Sequence, residues 1–140
     1  MGDLSLHFSK VELACHCCGD LKIEKALIDA LELLRSLAGK EIIVHDGYRC
    51  PPHNQKVGGV PDSEHTLGMA ADINIPGMAL RVPTFLNGGI GAYDGGFLHV
   101  DTRPHQARWA RVRGQYVGIQ HLVSTPQSLL AKVQTEGNRA

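Results

Sequence analysis

From Ile23 the apolar residues Ile23, Ala26, Leu27, Ala30, Leu31, Leu34 and Leu37 recur at spacings of three and four, one face of a helix that Gly39 can end in the left-handed conformation. Ahead of it, Ser9 with Glu12 makes a capping box and Phe8 with Leu13 a hydrophobic staple, so a short helix is expected before the cysteines and Gly19 interrupt it. The period then changes to two. Over 70–75, Asp72 and Asn74 alternate with Ile73 and Ile75, and over 97–101 the side chains of Phe97, His99 and Asp101 oppose Leu98 and Val100, the alternation of half-buried strands. Residues 42–44 read as a further short strand and 47–52 as a turn, because Pro51 and Pro52 cannot continue a central strand. Residues 53–69 carry Gly58, Gly59, Pro61 and Gly68, and a loop that long in a compact domain is expected to be functional. The glycines at 88–91 and 95–96 punctuate two short strands, the second being 97–101. A weaker helical pattern covers 78–86 despite Pro83, and the tail after Trp109 reads as loop or strand and then a helix over 127–133. The fold class expected is α+β: helices packed on a small, mainly antiparallel sheet whose opposite face is left for a cleft.

At 140 residues there is room for one domain, with 110–140 as a C-terminal extension. Fourteen basic residues balance fourteen acidic ones, which argues against the broad positive field that holds nucleic acid. Apolar stretches fall short of the roughly 18 residues of a membrane span, and no basic segment with an apolar run and cleavage site opens the chain. The expectation is a soluble monomer without an export signal, meeting its partner at a local site. Eight histidines against seven aromatic residues direct attention to imidazole chemistry.

Strand alternation points His99 and Asp101 the same way, and if the 70–75 and 97–101 strands are neighbours, Asp72 converges on His99. His65 enters from the loop seven residues before Asp72, with Gly68 permitting the turn between them. Two imidazoles and a carboxylate suffice for a catalytic zinc, which lowers the pKa of water from about 15.7 toward 7, roughly 12 kcal/mol in favour of hydroxide. Spacing alone leaves open a surface histidine and a strand aspartate in a turn or ion pair. The cysteines allow several readings. Cys15 and Cys18 form a C-x-x-C and Cys50 with His53 a C-x-x-H, so a second, structural zinc at Cys15, Cys18, Cys50 and His53 is chemically possible. A disulfide from the cluster to Cys50, or reduced thiols, is the preferred reading, and a cysteine hydrolase using Cys17 or Cys50 with a nearby histidine is a further one.

The segment Ser63-Glu64-His65-Thr66-Leu67-Gly68-Met69-Ala70-Ala71-Asp72-Ile73, preceded by Gly47-Tyr48-Arg49-Cys50-Pro51-Pro52-His53-Asn54 and followed by Phe97-Leu98-His99-Val100-Asp101, resembles the zinc D-alanyl-D-alanine carboxypeptidase family over about 8–109. That resemblance implies a hedgehog-like fold and hydrolysis of a peptide bond in peptidoglycan stem peptides, the bond itself (D-Ala-D-Ala or a related one) being open. It implies His65, Asp72 and His99 as zinc ligands and Arg49 as the group holding the substrate's carboxylate or carbonyl, a task suited to a planar, permanently charged fork. Ser63, Tyr93 and Phe97 are cleft residues on this reading. Several relatives carry a carboxylate three residues before the last histidine ligand, where this chain has Gly96. The general base is therefore expected at Asp101, or second at Asp94, while Asp101 has an equal alternative in orienting a ligand imidazole. The competing class is a metal-containing binding module of the same fold that has lost hydrolysis. A chain without an export signal fits a phage-type lysis enzyme that stays cytoplasmic until released, and equally an enzyme exported by another route.

Overall fold

A computed structural model describes residues 2–76 and 86–119. The expected helix over 127–133, and that over 78–86 apart from Leu86, lie outside the described residues. Among the described residues six strands make one sheet: β1 (Ile43–Asp46), β2 (Ala70–Asn74), β3 (Gly89–Tyr93), β4 (Leu98–Asp101), β5 (Ala107–Val112) and β6 (Gln115–Val117), in the order β1-β2-β4-β3-β5-β6. Four pairings are antiparallel and one, β3 with β5, is parallel, so the sheet is mainly antiparallel as expected, with one parallel pair that makes it mixed, within an α+β fold. No described helix is long and apolar enough to cross a membrane.

Helix α1 (Lys10–Leu13) begins as its capping box requires: the Glu12 carboxylate accepts from the Ser9 backbone N–H at 2.8 Å and from its hydroxyl at 2.9 Å. Phe8 and Leu13 are both buried, as the staple predicts. Helix α2 (Lys25–Ala38) ends at Gly39 with φ 63°. Its buried side chains are Leu27, Ile28, Leu31 and Leu34, while Leu37 at the end of the expected stripe is exposed. They share one apolar cluster with Phe8, Leu13 and the residues of one sheet face: Ala71, Ile73, Ile90, Ala92, Leu98, Val100 and Ala110.

Three local expectations are corrected. Pro51 and Pro52 open a helix, α3 (Pro51–Lys56), because proline at the first helical positions sacrifices only an N–H that has no partner in any case. The functional loop holds a 3₁₀ turn, Glu64–Leu67. Gly89 and Gly91 lie inside β3 instead of bounding it, and Trp109 lies inside β5.

The N-terminal segment is strapped to α2 through Glu32, which accepts from the Ser5 hydroxyl (2.6 Å) and the His7 backbone N–H (2.7 Å) and lies 2.6 Å from His7 Nδ1. Burial raises the Glu32 pKa, but the bonds from Ser5 and His7 outweigh it and hold the carboxyl below its ordinary value. A carboxyl depressed in the folded state contributes stability above its unfolded pKa, about 4.3, and loses it as pH falls through the lower folded value. Glu32→Gln is expected to cost about 1 kcal/mol at pH 7 in urea unfolding, with the difference from the unaltered protein vanishing in acid.

Candidate metal centre

The sheet face opposite the apolar cluster carries one row of residues. Asp72 on β2 pairs with His99 on β4, His99 with Gly91 on β3, and Gly91 with Trp109 on β5. With no Cβ at Gly91, the Trp109 indole lies across β3 and reaches His99, their ring centroids 5.2 Å apart. A Cβ at Gly91 would collide with the indole. Gly91→Ala is therefore expected to displace Trp109 from His99 and cost about 1–3 kcal/mol, read by urea unfolding.

His65 arrives on the 3₁₀ turn. Its backbone N–H is accepted by Ser63 Oγ at 3.3 Å, and Gly68 closes the turn at φ 73°, where a side chain would strike the Lys22 carbonyl. His65 Nδ1 lies 2.7 Å from the Gly47 carbonyl, which can only accept, so the proton sits on Nδ1 and Nε2 faces inward. His99 is held the opposite way round: Nε2 donates to Asp101 Oδ2 at 2.7 Å and Nδ1 faces inward. Both inward nitrogens lie 3.2 Å from one oxygen, Asp72 Oδ1. Three acceptors thus converge, with these ligand atoms mutually within 4.8 Å, and such a cluster calls for a cation or shared protons between them. Burial pushes the Asp72 carboxyl up, but His65 and His99 outweigh it and hold it far below the usual carboxylate range. Burial likewise lowers His99, yet Asp101 and Asp72 more than reverse this and raise it, so the centre favours positive charge. The donor set fits zinc: two imidazoles and one carboxylate, each ring fixed by a partner on its far nitrogen.

Asp101 is fully enclosed. Its Oδ1 accepts from the Gly89 N–H (2.8 Å) and the Arg103 N–H (3.0 Å), and its Oδ2 from His99 and Arg103 Nη2, each at 2.7 Å. Burial raises its pKa, but His99 and Arg103 override this and hold it far below the ordinary range. Arg103 in turn lies over the Trp109 ring, 5.0 Å from its centroid. Asp94 is exposed on the turn after β3, where its Oδ2 accepts the Arg113 N–H at 2.8 Å.

An open cleft of about 560 Å³ leads to these groups. Arg49 and Ser63 line one part of it, Tyr93 and Phe97 another, the latter two stacked at 4.6 Å. Arg49 has only long contacts, Nη1 to Asp46 Oδ2 and Nη2 to Ser63 Oγ at 3.5 Å each, and its buried Nε has no partner among the described residues. Among the described residues the carboxylates that line the cleft are Asp72 and Glu64; Asp101 and Asp94 do not. Sequence reasoning passed over Glu64, although its place beside His65 was a usable signal, over Arg103, two residues from Asp101, and over Trp109, whose approach depends on the parallel β3–β5 pairing.

A sequence profile of the Peptidase M15 family matches residues 4–101. The chain belongs to the Peptidase M15 family. M15 peptidases are zinc-dependent, which makes the protein a metallopeptidase, and the convergence of His65, Asp72 and His99 is a candidate site for such an ion. A search of curated proteins found no match. Arg103, Trp109, Arg111 and Tyr116 also line this M15 peptidase's cleft, and all four lie beyond the matched range.

The cysteines gather apart from this centre. All four are free thiols, with Sγ atoms of Cys15, Cys17, Cys18 and Cys50 mutually within 4.8 Å. The expected zinc set of Cys15, Cys18, Cys50 and His53 is not the one assembled: Cys17 takes the fourth place, and His53 falls with His16 and Asp46. No disulfide joins the cluster to Cys50, so of the two preferred readings it is the reduced thiols that the structure shows. Cys17 and Cys50 hydrogen-bond to other thiols and to no imidazole among the described residues, so the cysteine-hydrolase reading lacks its base.

Proposed function

We propose that this M15 peptidase hydrolyses a peptide bond in peptidoglycan stem peptides, as a D-Ala-D-Ala carboxypeptidase or related endopeptidase of DD-peptidase-like fold. The observation that carries the reading is the convergence of His65 Nε2, Asp72 Oδ1 and His99 Nδ1 at an open cleft that also presents the under-satisfied guanidinium of Arg49. A zinc ion held by those three residues supplies a Lewis acid that polarises a carbonyl and brings water's deprotonation near neutral pH. Arg49 fixes the substrate's carboxylate or carbonyl oxygen through its free donors. Glu64, the cleft carboxylate left over once Asp72 is committed to the ion, accepts a proton from water at its carboxylate and returns it to the leaving amine. That role takes the place of the missing acid at Gly96. Asp101, with both oxygens engaged, orients His99 instead of moving protons, and Asp94 stays outside the reaction. Ser63 holds the 3₁₀ turn and steadies Arg49, and Tyr93 with Phe97 forms an apolar wall.

Zinc-loaded protein is tested against muropeptides of defined sequence, with products identified by mass. Loss of a terminal D-alanine or scission of the stem peptide is expected, abolished by chelation and restored by zinc. A zinc-filled protein that leaves every muropeptide intact refutes the proposal. Glu64→Gln at full zinc content separates proton transfer from metal binding.

A further inference from the structure

We infer that Cys15, Cys17, Cys18 and Cys50 form a second metal site, a tetrathiolate centre for a zinc-class divalent ion that clamps the N-terminal segment to the turn bearing Arg49. The inference stands apart from the peptidase reading and concerns residues that take no part in it.

The spacing of the sulfurs is the first support. Cys15 and Cys17 lie 3.6 Å apart, Cys15 and Cys50 3.6 Å, and Cys17 and Cys50 3.3 Å, with Cys18 completing a set within 4.8 Å. Four thiolates at about 2.3 Å from a tetrahedral ion stand about 3.8 Å from one another, whereas a disulfide draws two sulfurs to about 2.05 Å. The three distances of 3.3–3.6 Å lie near the edge of such a tetrahedron and far from a disulfide bond.

Burial offers no competing reason for the gathering. Free cysteine behaves as a small apolar residue that collects in cores, yet Cys17 and Cys18 are exposed, Cys50 is half-buried and only Cys15 is inside. Sulfurs brought together at a surface from positions 35 residues apart in sequence need a common partner. The backbone is shaped for one. Between α1 and α2 the chain closes a tight loop, Cys15 N–H donating to the Asp20 carbonyl at 2.7 Å and Gly19 N–H to the Cys15 carbonyl at 2.8 Å, with Gly19 at φ 76°. From the other side, the Cys50 backbone N–H points at Cys15 Sγ at 3.4 Å, a bond that favours thiolate over thiol. Donor type then selects the ion, since four soft thiolates suit zinc over the hard, oxygen-seeking cations. On binding, the four thiols release four protons to solvent, leaving a centre of net charge two negative.

The clamp bears on the cleft through the chain. Tyr48 N–H donates to the Leu13 carbonyl at 2.8 Å and Arg49 N–H to the His65 carbonyl at 3.2 Å, so Arg49 stands between the thiol cluster and the catalytic turn. Fixing Cys50 fixes the backbone from which Arg49 reaches into the cleft.

The test uses the full chain purified under reducing conditions, with zinc counted by elemental analysis. Two zinc ions per chain are expected, one remaining in His65→Ala and one in the double variant Cys17→Ser/Cys18→Ser. Cobalt replacing zinc gives a thiolate-to-cobalt charge-transfer band that His65→Ala keeps and the serine variant loses. If the serine variant fails to fold, a mercurial titration of the unaltered chain takes its place, with zinc release tracking the four thiols. A single zinc that His65→Ala abolishes, a cobalt-loaded chain without the thiolate band, or a mass showing disulfides would each overturn the inference.

Discussion

Asp72→Asn empties the catalytic centre of zinc and lowers peptidase kcat/KM by ~10⁴-fold or more, because the activation of water vanishes with the ion. Asp72 Oδ1 is the oxygen on which His65 and His99 both converge, so the substitution removes the one negative charge at the meeting point while leaving the strand intact. An asparagine oxygen still occupies the space but no longer offsets the ion's charge. His65→Ala should match it in rate, since neither remaining pair of ligands makes a site. Metal content and steady-state rates with excess zinc check this together. A protein that keeps both its ion and its rate after Asp72→Asn would show that the three converging groups serve another purpose.

Asp101 gives the second large effect, and its two substitutions separate stability from orientation. Alanine strips partners from the Arg103 guanidinium, the Gly89 N–H and His99 at once, and is expected to cost about 3–5 kcal/mol in urea unfolding, as when one side of a buried ion pair is removed. Asparagine keeps the shape but sets an amide N–H against His99 Nε2–H or gives up another bond, which frees the imidazole to hold its proton on the metal-facing Nδ1. Zinc affinity should fall by about 10–100-fold in a competition titration, with most of the rate returning when zinc is raised to saturation. A rate that stays low with the centre filled would instead make Asp101 the proton acceptor.

The parts of the molecule legible in the sequence are those governed by local periodicity. The stripe from Leu27 to Leu34 is the buried face of α2, Gly39 ends it, and the alternations around Asp72 and His99 are strands that do lie side by side. Convergence of residues 65, 72 and 99 is a consequence of that adjacency. What escaped is what periodicity cannot encode. Nothing local says that β5 runs parallel to β3, and that pairing brings Trp109 onto Gly91. Gly91 reads as a strand boundary because a missing side chain looks the same whether it serves a turn or makes room for a neighbour. Pro51 and Pro52 stop a strand and start a helix equally well, so the choice rests with the residues C-terminal to them. His53 has the right spacing from Cys50 for a shared ion, but α3 turns it away toward His16 and Asp46 and leaves the place to Cys17.

The indole lying over Gly91 belongs to the only tryptophan in the chain, and it stands 5.2 Å from the imidazole of His99. The protein therefore carries its own optical probe at the catalytic end of the sheet. Emission quenched by a paramagnetic ion such as cobalt would report occupancy of that centre without any label.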